Sequence, residues 1–298
     1  MKLQRLLLPP AFFYLFRNLK RKIRKSYQID NFLLTLSPGH TLPDFQKVHK
    51  LYDRFLPCLT KYLSVEQTII DVGANIGDTA FLIRSSSDAK IVCVEGSEKF
   101  FGYLVDNINS LPVKKGNNIN CIHALVGTQN NKGSLKHING TAKVVKDDSH
   151  KADSNNSMSL NEIAKTVDNL TLVKVDTDGF DYDVLISGLK SISKEEPILF
   201  WENVIENEDQ LKSYNKMYQE LSLLGYTKIY IFDNFGNILL SNTSFDSQNA
   251  INEYIYSNSN YGGTKTFGYT DTLAVTSKHS SLVDKAISDY KKNYIYAK

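Results

Sequence analysis

Thr68-Ile69-Ile70-Asp71-Val72-Gly73-Ala74-Asn75-Ile76-Gly77-Asp78-Thr79 joins a β-branched run to two glycines. Thr68, Ile69 and Ile70 read as the end of a fully buried strand, because a parallel strand covered on both faces is apolar without alternation. Asp71 ends that strand. Gly73 and Gly77 permit backbone angles and close approaches that a side chain would block, at a bend from strand to helix. Such a turn lies beyond the carboxyl end of the strand, where open α/β sheets bind ligands.

A dinucleotide loop needs G-x-G-x-x-G, whose middle glycine lets the backbone approach a pyrophosphate. Here the pattern is D-x-G-x-x-x-G, with Ala74 and Asn75 inside the turn and no Walker lysine after it. An acid at the strand end repels phosphate and suits a ligand carrying positive charge, such as the sulfonium and ammonium of S-adenosylmethionine. The alternative is a strand–helix turn with no ligand. Downstream, Ile91–Val94 reads as a second strand ending at Glu95, 18 residues past Gly77. That is close to the spacing at which an acid reaches a ribose diol.

The chain has 298 residues, 42% hydrophobic and 22% charged, as in an ordinary globular protein. Its length suits one α/β domain over 65–298 with an N-terminal extension over 1–64. Residues 1–26 hold eight Lys or Arg and no acid, so the formal charge of +3 less those eight leaves −5 on the rest. A mildly acidic body argues against nucleic acid as the main partner. Cys58, Cys93 and Cys121 are odd in number and form no C-x-x-C pair, which fits a reducing, cytoplasmic compartment. Cys93 and Cys121 lie in strand-like runs and read as buried, inert thiols.

Leu6–Phe16 is apolar but interrupted by Pro9 and Pro10, and too short to span a bilayer. Basic residues follow it instead of a small-residue cleavage site, so secretion is not expected. Residues 1–26 suit peripheral contact with an anionic membrane at its cytoplasmic face; the alternative is a docked helix or a solvated basic tail. Between Ser37 and Leu63, apolar positions at Phe45, Val48, Leu51, Tyr52, Phe55 and Leu59 predict an amphipathic helix. It starts near Pro43, bends or breaks at Pro57, and either covers the ligand cleft or packs on the sheet edge.

Helices are expected over 78–84 and 100–108, and a third strand over 119–122, ending at His123 and Ala124. Residues 127–158 are polar, with a hairpin signal at Asn139-Gly140, and Ser159 with Glu162 forms a capping-box pattern. A fourth strand, 170–175, delivers Asp176, Asp178, Asp181 and Asp183. A fifth, 197–201, ends on Glu202. A helix over 209–224, a strand over 227–232, a turn at Asp233–Gly236 and a last strand over 272–276 follow. Residues 241–270 read as a long excursion, the kind of segment that serves as a lid or binding loop.

Strands alternating with helices, with acids at strand ends, predict a doubly wound Rossmann-like α/β sheet. IIDVGANIGDT, VCVEGSE, HALVGT, LVKVDTDGFDYDVLISGL, DNFGN and DTLAV, in that order, resemble the FkbM-type family of class I S-adenosylmethionine-dependent methyltransferases. The resemblance covers roughly 65–276. It implies a seven-stranded sheet with an antiparallel last strand and a cofactor across the ends of strands one to four. It further implies that Asp71, Gly73, Asn75 and Gly77 hold the methionine part, that Glu95 takes the ribose hydroxyls and that the His123-Ala124 backbone faces the adenine. The family usually has Glu where this chain has Asp178, another Glu near Asp181, and Leu-Asp-Asp where this chain reads Ser159-Leu160-Asn161-Glu162.

Methyl transfer from a sulfonium is an in-line displacement, and a hydroxyl acceptor needs a base or a Lewis acid. Asp176, Asp178 and Asp181 offer oxygen ligands for Mg²⁺ or a carboxylate base. Alternatively, Asp178 caps the next helix while Asp181 and Asp183 stay solvated. Lys174 shares a strand face with Asp176 and is either a buried base or half of a salt bridge. Glu202 is a candidate for the acceptor side. His40 and His123 are the histidines nearest the cleft, and a lone histidine is more often structural. The expected activity is O-methylation of a small-molecule or glycan acceptor, on a sugar, glycan or lipid-linked saccharide hydroxyl recognised by 127–158, 241–270 and the N-terminal helix. The rivals are a membrane-associated binding protein of the same fold without catalysis, and a nicotinamide oxidoreductase, which the missing middle glycine disfavours.

Overall fold

The computed structural model describes residues 25–128, 134–138, 141–145, 156–260 and 268–296. A hairpin, β1 (Ser26–Ile29) and β2 (Phe32–Thr35), precedes two short helices, α1 (Leu42–Val48) and α2 (Phe55–Thr60). Then come β3 (Thr68–Val72), α3 (Asp78–Ser86), β4 (Lys90–Glu95), α4 (Glu98–Ser110), α5 (Val113–Gly116) and β5 (Ile119–His123). The short strands β6 (Leu125–Val126), β7 (Ser134–Ile138), β8 (Thr141–Val145) and β9 (Ser157–Met158) lead to α6 (Leu160–Ala164). The second half holds β10 (Leu170–Val175), α7 (Asp181–Ser187), α8 (Leu189–Glu195), β11 (Ile198–Val204) and α9 (Glu208–Leu223). It closes with β12 (Lys228–Asp233), β13 (Ile238–Thr243), α10 (Phe245–Asn260), β14 (Tyr269–Val275) and α11 (Ser280–Tyr290).

Eight strands form one sheet in the order β13-β12-β14-β11-β10-β3-β4-β5. The neighbours from β11 to β5 are parallel, and β14 runs antiparallel between β11 and β12. The expected doubly wound sheet with its antiparallel last strand is therefore present, with β13 as an added edge strand. The order in which strands are laid down reverses between the parallel neighbours β3 and β10, which opens a crevice at their carboxyl ends. Side chains of β3 and β10 alternate between two apolar layers: Ile69 and Leu172 pack with Phe81 and Leu104, while Ile70 and Val173 pack with Val184 and Trp201. Both strands are buried throughout, which is why they read as unbroken apolar runs.

Several elements differ from the sequence reading. The break in the N-terminal helix falls between α1 and α2, where Asp53 adopts φ 60°. Pro57 is the third residue of α2, a position whose amide has no intrahelical acceptor in any case. β11 runs past Glu202 to Val204, because β14 continues the ladder there. The excursion over 241–270 contains the end of β13 and all of α10, and the last strand starts at Tyr269. The β1–β2 hairpin was not expected; its turn holds Asp30 at φ 48°, a conformation that short polar side chains tolerate.

The capping box of Ser159 and Glu162 is formed. β7 and β8 pair antiparallel, with Ile138 opposite Thr141, on either side of residues 139–140. Those two residues, 129–133 and 146–155 of the polar stretch, and the basic apolar segment over 1–24 with its membrane expectation, lie outside the described residues. Among the described residues no helix is long and apolar enough to cross a membrane. All three cysteines are free; Cys58 and Cys93 are buried and Cys121 is half-buried. Burial raises each thiol's pKa, that of Cys121 to about 11, and keeps it protonated.

Candidate active site

A cavity of about 440 Å³ lies at the carboxyl ends of the central strands, roofed by Leu42, Phe45 and Tyr52 from the N-terminal segment. Its volume falls within the range of small-molecule sites, about 300–1,000 Å³. The glycine turn forms one wall. Gly73 has φ 79°, and a Cβ there would lie 1.8 Å from the Asp176 carbonyl oxygen, so only glycine lets the turns after β3 and β10 meet. The amides of Gly73 and Ala74 both donate to the Val94 carbonyl, at 2.9 and 3.0 Å. They are therefore not available to cradle a phosphate.

Glu95 is the brace of this wall. Its carboxylate accepts the Asn75 amide at 2.9 Å and the Ser97 amide at 2.7 Å, tying the turn after β3 to the turn after β4. Burial outweighs these donors and raises its pKa to about 7. Each carboxylate oxygen keeps a second acceptor position, and Glu95 lines the cavity beside Gly96 and Ala124. Of the His123-Ala124 pair, Ala124 lines the cavity, while the His123 ring stacks on Phe101 at 4.8 Å with its Nε2 3.1 Å from the Gly96 carbonyl.

Asp71 does not line the cavity. It lies fully buried opposite Lys174 in the β3–β10 register, with the Lys174 ammonium 3.1 Å from its carboxylate and 3.4 Å from that of Asp176. Burial opposes the charge on Lys174, but Asp71 and Asp176 outweigh it and hold the ammonium's pKa well above its usual value. The lysine is half of a salt bridge, not a base. Gly77 serves as the N-cap of α3.

Asp176 and Asp178 line the cavity, and Asp178 adopts φ 52°. Asp181 does not join them. As the first residue of α7 it turns back to accept the Thr177 amide at 3.3 Å and hydroxyl at 3.0 Å. It is fully buried, and burial followed by the charge of Asp176 raises its pKa to about 7. Asp183 is buried too and accepts from the amide and hydroxyl of Thr128, so neither is solvated. Among the described residues no three His, Cys, Asp or Glu side chains converge for a metal. The expected Asp176, Asp178, Asp181 set for Mg²⁺ does not fit this arrangement, because Asp181 is turned away from the cavity.

The sequence reading missed a neighbouring pocket of about 70 Å³, which shares Tyr52, Asp78, Asp176, Glu202 and Tyr269 with the main cavity and adds Asp53 and Asp271. Glu202 and Asp271 are direct cross-strand partners in the β11–β14 ladder. Burial, then repulsion from Asp176, raises the pKa of both well above the carboxylate range. Burial and then Asp78 raise Asp53 to about 7. The one signal in the sequence for Asp271 is its place at the head of DTLAV.

The sequence pattern of the methyltransferase FkbM domain matches residues 71–228. The chain belongs to this family. Among solved structures it is similar to the FkbM methyltransferase of Methylobacillus flagellatus, at 13% identity and a TM-score of 0.41, over 78% of this chain and 58% of that one. It is also similar to the precorrin-6y C5,15-methyltransferase of Geobacter metallireducens, at 10% identity and a TM-score of 0.38, over 75% and 87% of the two chains. An rRNA methylase of Streptococcus thermophilus matches at 8% identity and a TM-score of 0.41, over 74% and 93%. No curated protein matches the chain.

Proposed function

We propose that this FkbM-family chain is an S-adenosylmethionine-dependent O-methyltransferase acting on a hydroxyl of a sugar, glycan or lipid-linked saccharide. The observation that carries the reading is the meeting of Glu95 and Asp176 in one cavity at the switch point of the sheet. The acid-rich lining fits a cationic ligand, and the braced Glu95 carboxylate has acceptor positions for a ribose diol. When bound, S-adenosylmethionine supplies a methyl group on a sulfonium, open to in-line displacement.

The protein's share of the chemistry is alignment and proton removal. Asp176, held at its strand end by a hydrogen bond from its backbone amide to the Val72 carbonyl at 3.0 Å, takes the acceptor's hydroxyl proton. Lys174 stays charged and orients Asp176. Glu202 and Asp271 hydrogen-bond further hydroxyls, and the rings of Tyr52 and Tyr269 flank the acceptor. The nicotinamide reading loses ground because the amides that would face a pyrophosphate are already bonded to Val94. We place the enzyme in the cytoplasm, with residues 1–26 as a peripheral contact to anionic membrane and with no nucleic-acid partner.

Titration calorimetry with S-adenosylmethionine and S-adenosylhomocysteine tests the cofactor, with micromolar binding expected. A folded protein that binds neither, or that prefers a nicotinamide dinucleotide, sinks the reading. Transfer of labelled methyl groups to neutral glycans and to their permethylated forms tests the acceptor; equal labelling of both would exclude hydroxyl methylation.

A further inference from the structure

The turn Asp233-Asn234-Phe235-Gly236-Asn237 joins β12 to β13 and has no part in the chemistry above. Asp233 makes it rigid, because its carboxylate accepts the Phe235 amide at 2.9 Å and the amide and side chain of Asn237, each at 2.8 Å. From this frame two residues meet the roof of the cavity. The Phe235 ring stacks on His49 at 3.9 Å and 16°. Gly236, at φ 90°, packs on Leu51: a Cβ there would lie 2.3 Å from the Leu51 carbonyl oxygen, so only glycine admits the roof so close. His49 and Leu51 precede Tyr52, which lines both pockets, and His49 packs on Phe45, which lines the larger one, at 5.9 Å.

This contact is built so that it can part. The hydroxyl of buried Tyr290 has one hydrogen and lies 2.7 Å from the Gly236 carbonyl and 3.3 Å from that of Leu51. The Leu51 carbonyl also accepts the Arg54 amide at 3.1 Å. When roof and turn separate, Tyr290 keeps Gly236 and Leu51 keeps Arg54, so neither is left with an unmet hydrogen bond. Hydrogen bonds that fasten the roof lie on its other side, where Gln46 accepts the Tyr27 hydroxyl at 2.9 Å and His40 bonds Asn75. At the two ends of the roof stand Gly39 at φ 85°, with open space around it, and Asp53 at φ 60°. Such positions absorb the backbone rotation of a hinge.

We propose that Phe235 and Gly236 are positioning residues: their turn is a clasp that holds the roof shut through His49 and Leu51, and ligands enter and leave the cavity when it parts. This rests on the S-adenosylmethionine reading, which supplies the probe. Phe235 lines neither pocket. Weakening its stack therefore favours opening equally in the free and the occupied protein. Entry and exit both become faster, and the equilibrium affinity stays where it was.

Surface plasmon resonance of S-adenosylhomocysteine on the immobilised full chain reads both rate constants, and calorimetry reads the Kd. Phe235→Ala is expected to raise kon and koff together by about fivefold, the worth of one aromatic pair, with the Kd held within about twofold. Phe235→Leu should do the same and serves if the alanine variant does not fold, whereas Phe235→Tyr keeps the stack and should keep the wild-type rates. His49→Ala should match Phe235→Ala, and the double variant should exceed neither single one, because both remove the same contact. A weaker Kd carried by one rate constant alone would make Phe235 a support of the binding surface and overturn the proposal. Unchanged rate constants, or effects of the two single variants that add, would overturn it too. Wild-type protein that binds no adenosyl ligand would end the cofactor reading and the clasp together, an outcome distinct from the others.

Discussion

Asp71 and Lys174 face each other across the β3–β10 ladder with 3.1 Å between carboxylate and ammonium, and neither side chain is more than 7% exposed. The pair sets a fixed positive charge under Asp176. Removing one member leaves the other charge buried, so Lys174→Met is expected to destabilise the fold by about 3–5 kcal/mol. Asp71→Leu combined with Lys174→Met should recover most of that loss, since an apolar pair of similar volume is often neutral. Urea unfolding of the two single variants and the double variant measures the coupling. Losses that simply add would show that the two residues act independently.

Glu95 carries a pKa of about 7, raised by burial and held back by the Ser97 and Asn75 amides and by Lys174. Accepting two ribose hydroxyls favours its ionised form. Affinity for S-adenosylhomocysteine should therefore rise as the pH passes upward through about 7 and fall below it. Glu95→Gln should abolish the step and weaken binding at about pH 8 by about tenfold. A flat pH profile in the wild type, with the Gln variant binding equally well, would place the ribose elsewhere.

Glu202 and Asp271 are opposite one another on β11 and β14, and both pKa values lie well above the usual carboxylate range. The folded protein thus holds protons that the unfolded chain has already released above about pH 4. Stability falls as pH rises wherever the native state binds more protons, so the ligand-free protein should melt at a higher temperature at about pH 5.5 than at about pH 8. Asp271→Asn removes one of the opposed charges. It should stabilise the protein at the higher pH by about 1 kcal/mol and flatten the profile; comparison with the wild type cancels His40, which titrates in the opposite sense. A variant less stable at both pH values would mean that the pair is not repulsive.

How far the sequence exposed all this depended on the range of the cause. β3 and β10 were legible because burial on both faces removes alternation, and Glu95 because its distance from the glycine turn is set by one βαβ unit. The grouping of Asp176, Asp178 and Asp181 failed because α7 starts at Asp181 and turns that side chain back to Thr177; the spacing D-x-D-x-x-D does not state where the helix begins. Asp53 and Asp271 were invisible as site residues. They enter only because β14 inserts between β11 and β12 and because the chain breaks between α1 and α2. β13 escaped notice because Leu239 and Leu240 on this edge strand are exposed, leaving no burial pattern to read.

Asp176 separates binding from chemistry. Its side chain is 46% exposed, reaches the cavity and touches Lys174 at 3.4 Å, whereas Glu95 on β4 holds the opposite wall. A base contributes about 10²–10⁴-fold to proton transfer. Asp176→Asn keeps the shape, loses the proton acceptor and should lower kcat by about that factor while leaving S-adenosylhomocysteine affinity within about twofold. The lysine keeps Asp71 as its partner, so the fold should survive. Calorimetry and single-turnover methyl transfer on the same preparation make the comparison. A parallel loss of affinity and rate would make Asp176 part of the cofactor's binding surface, and an undiminished rate would move the base to Glu202, whose raised pKa would then appear in the pH profile of kcat.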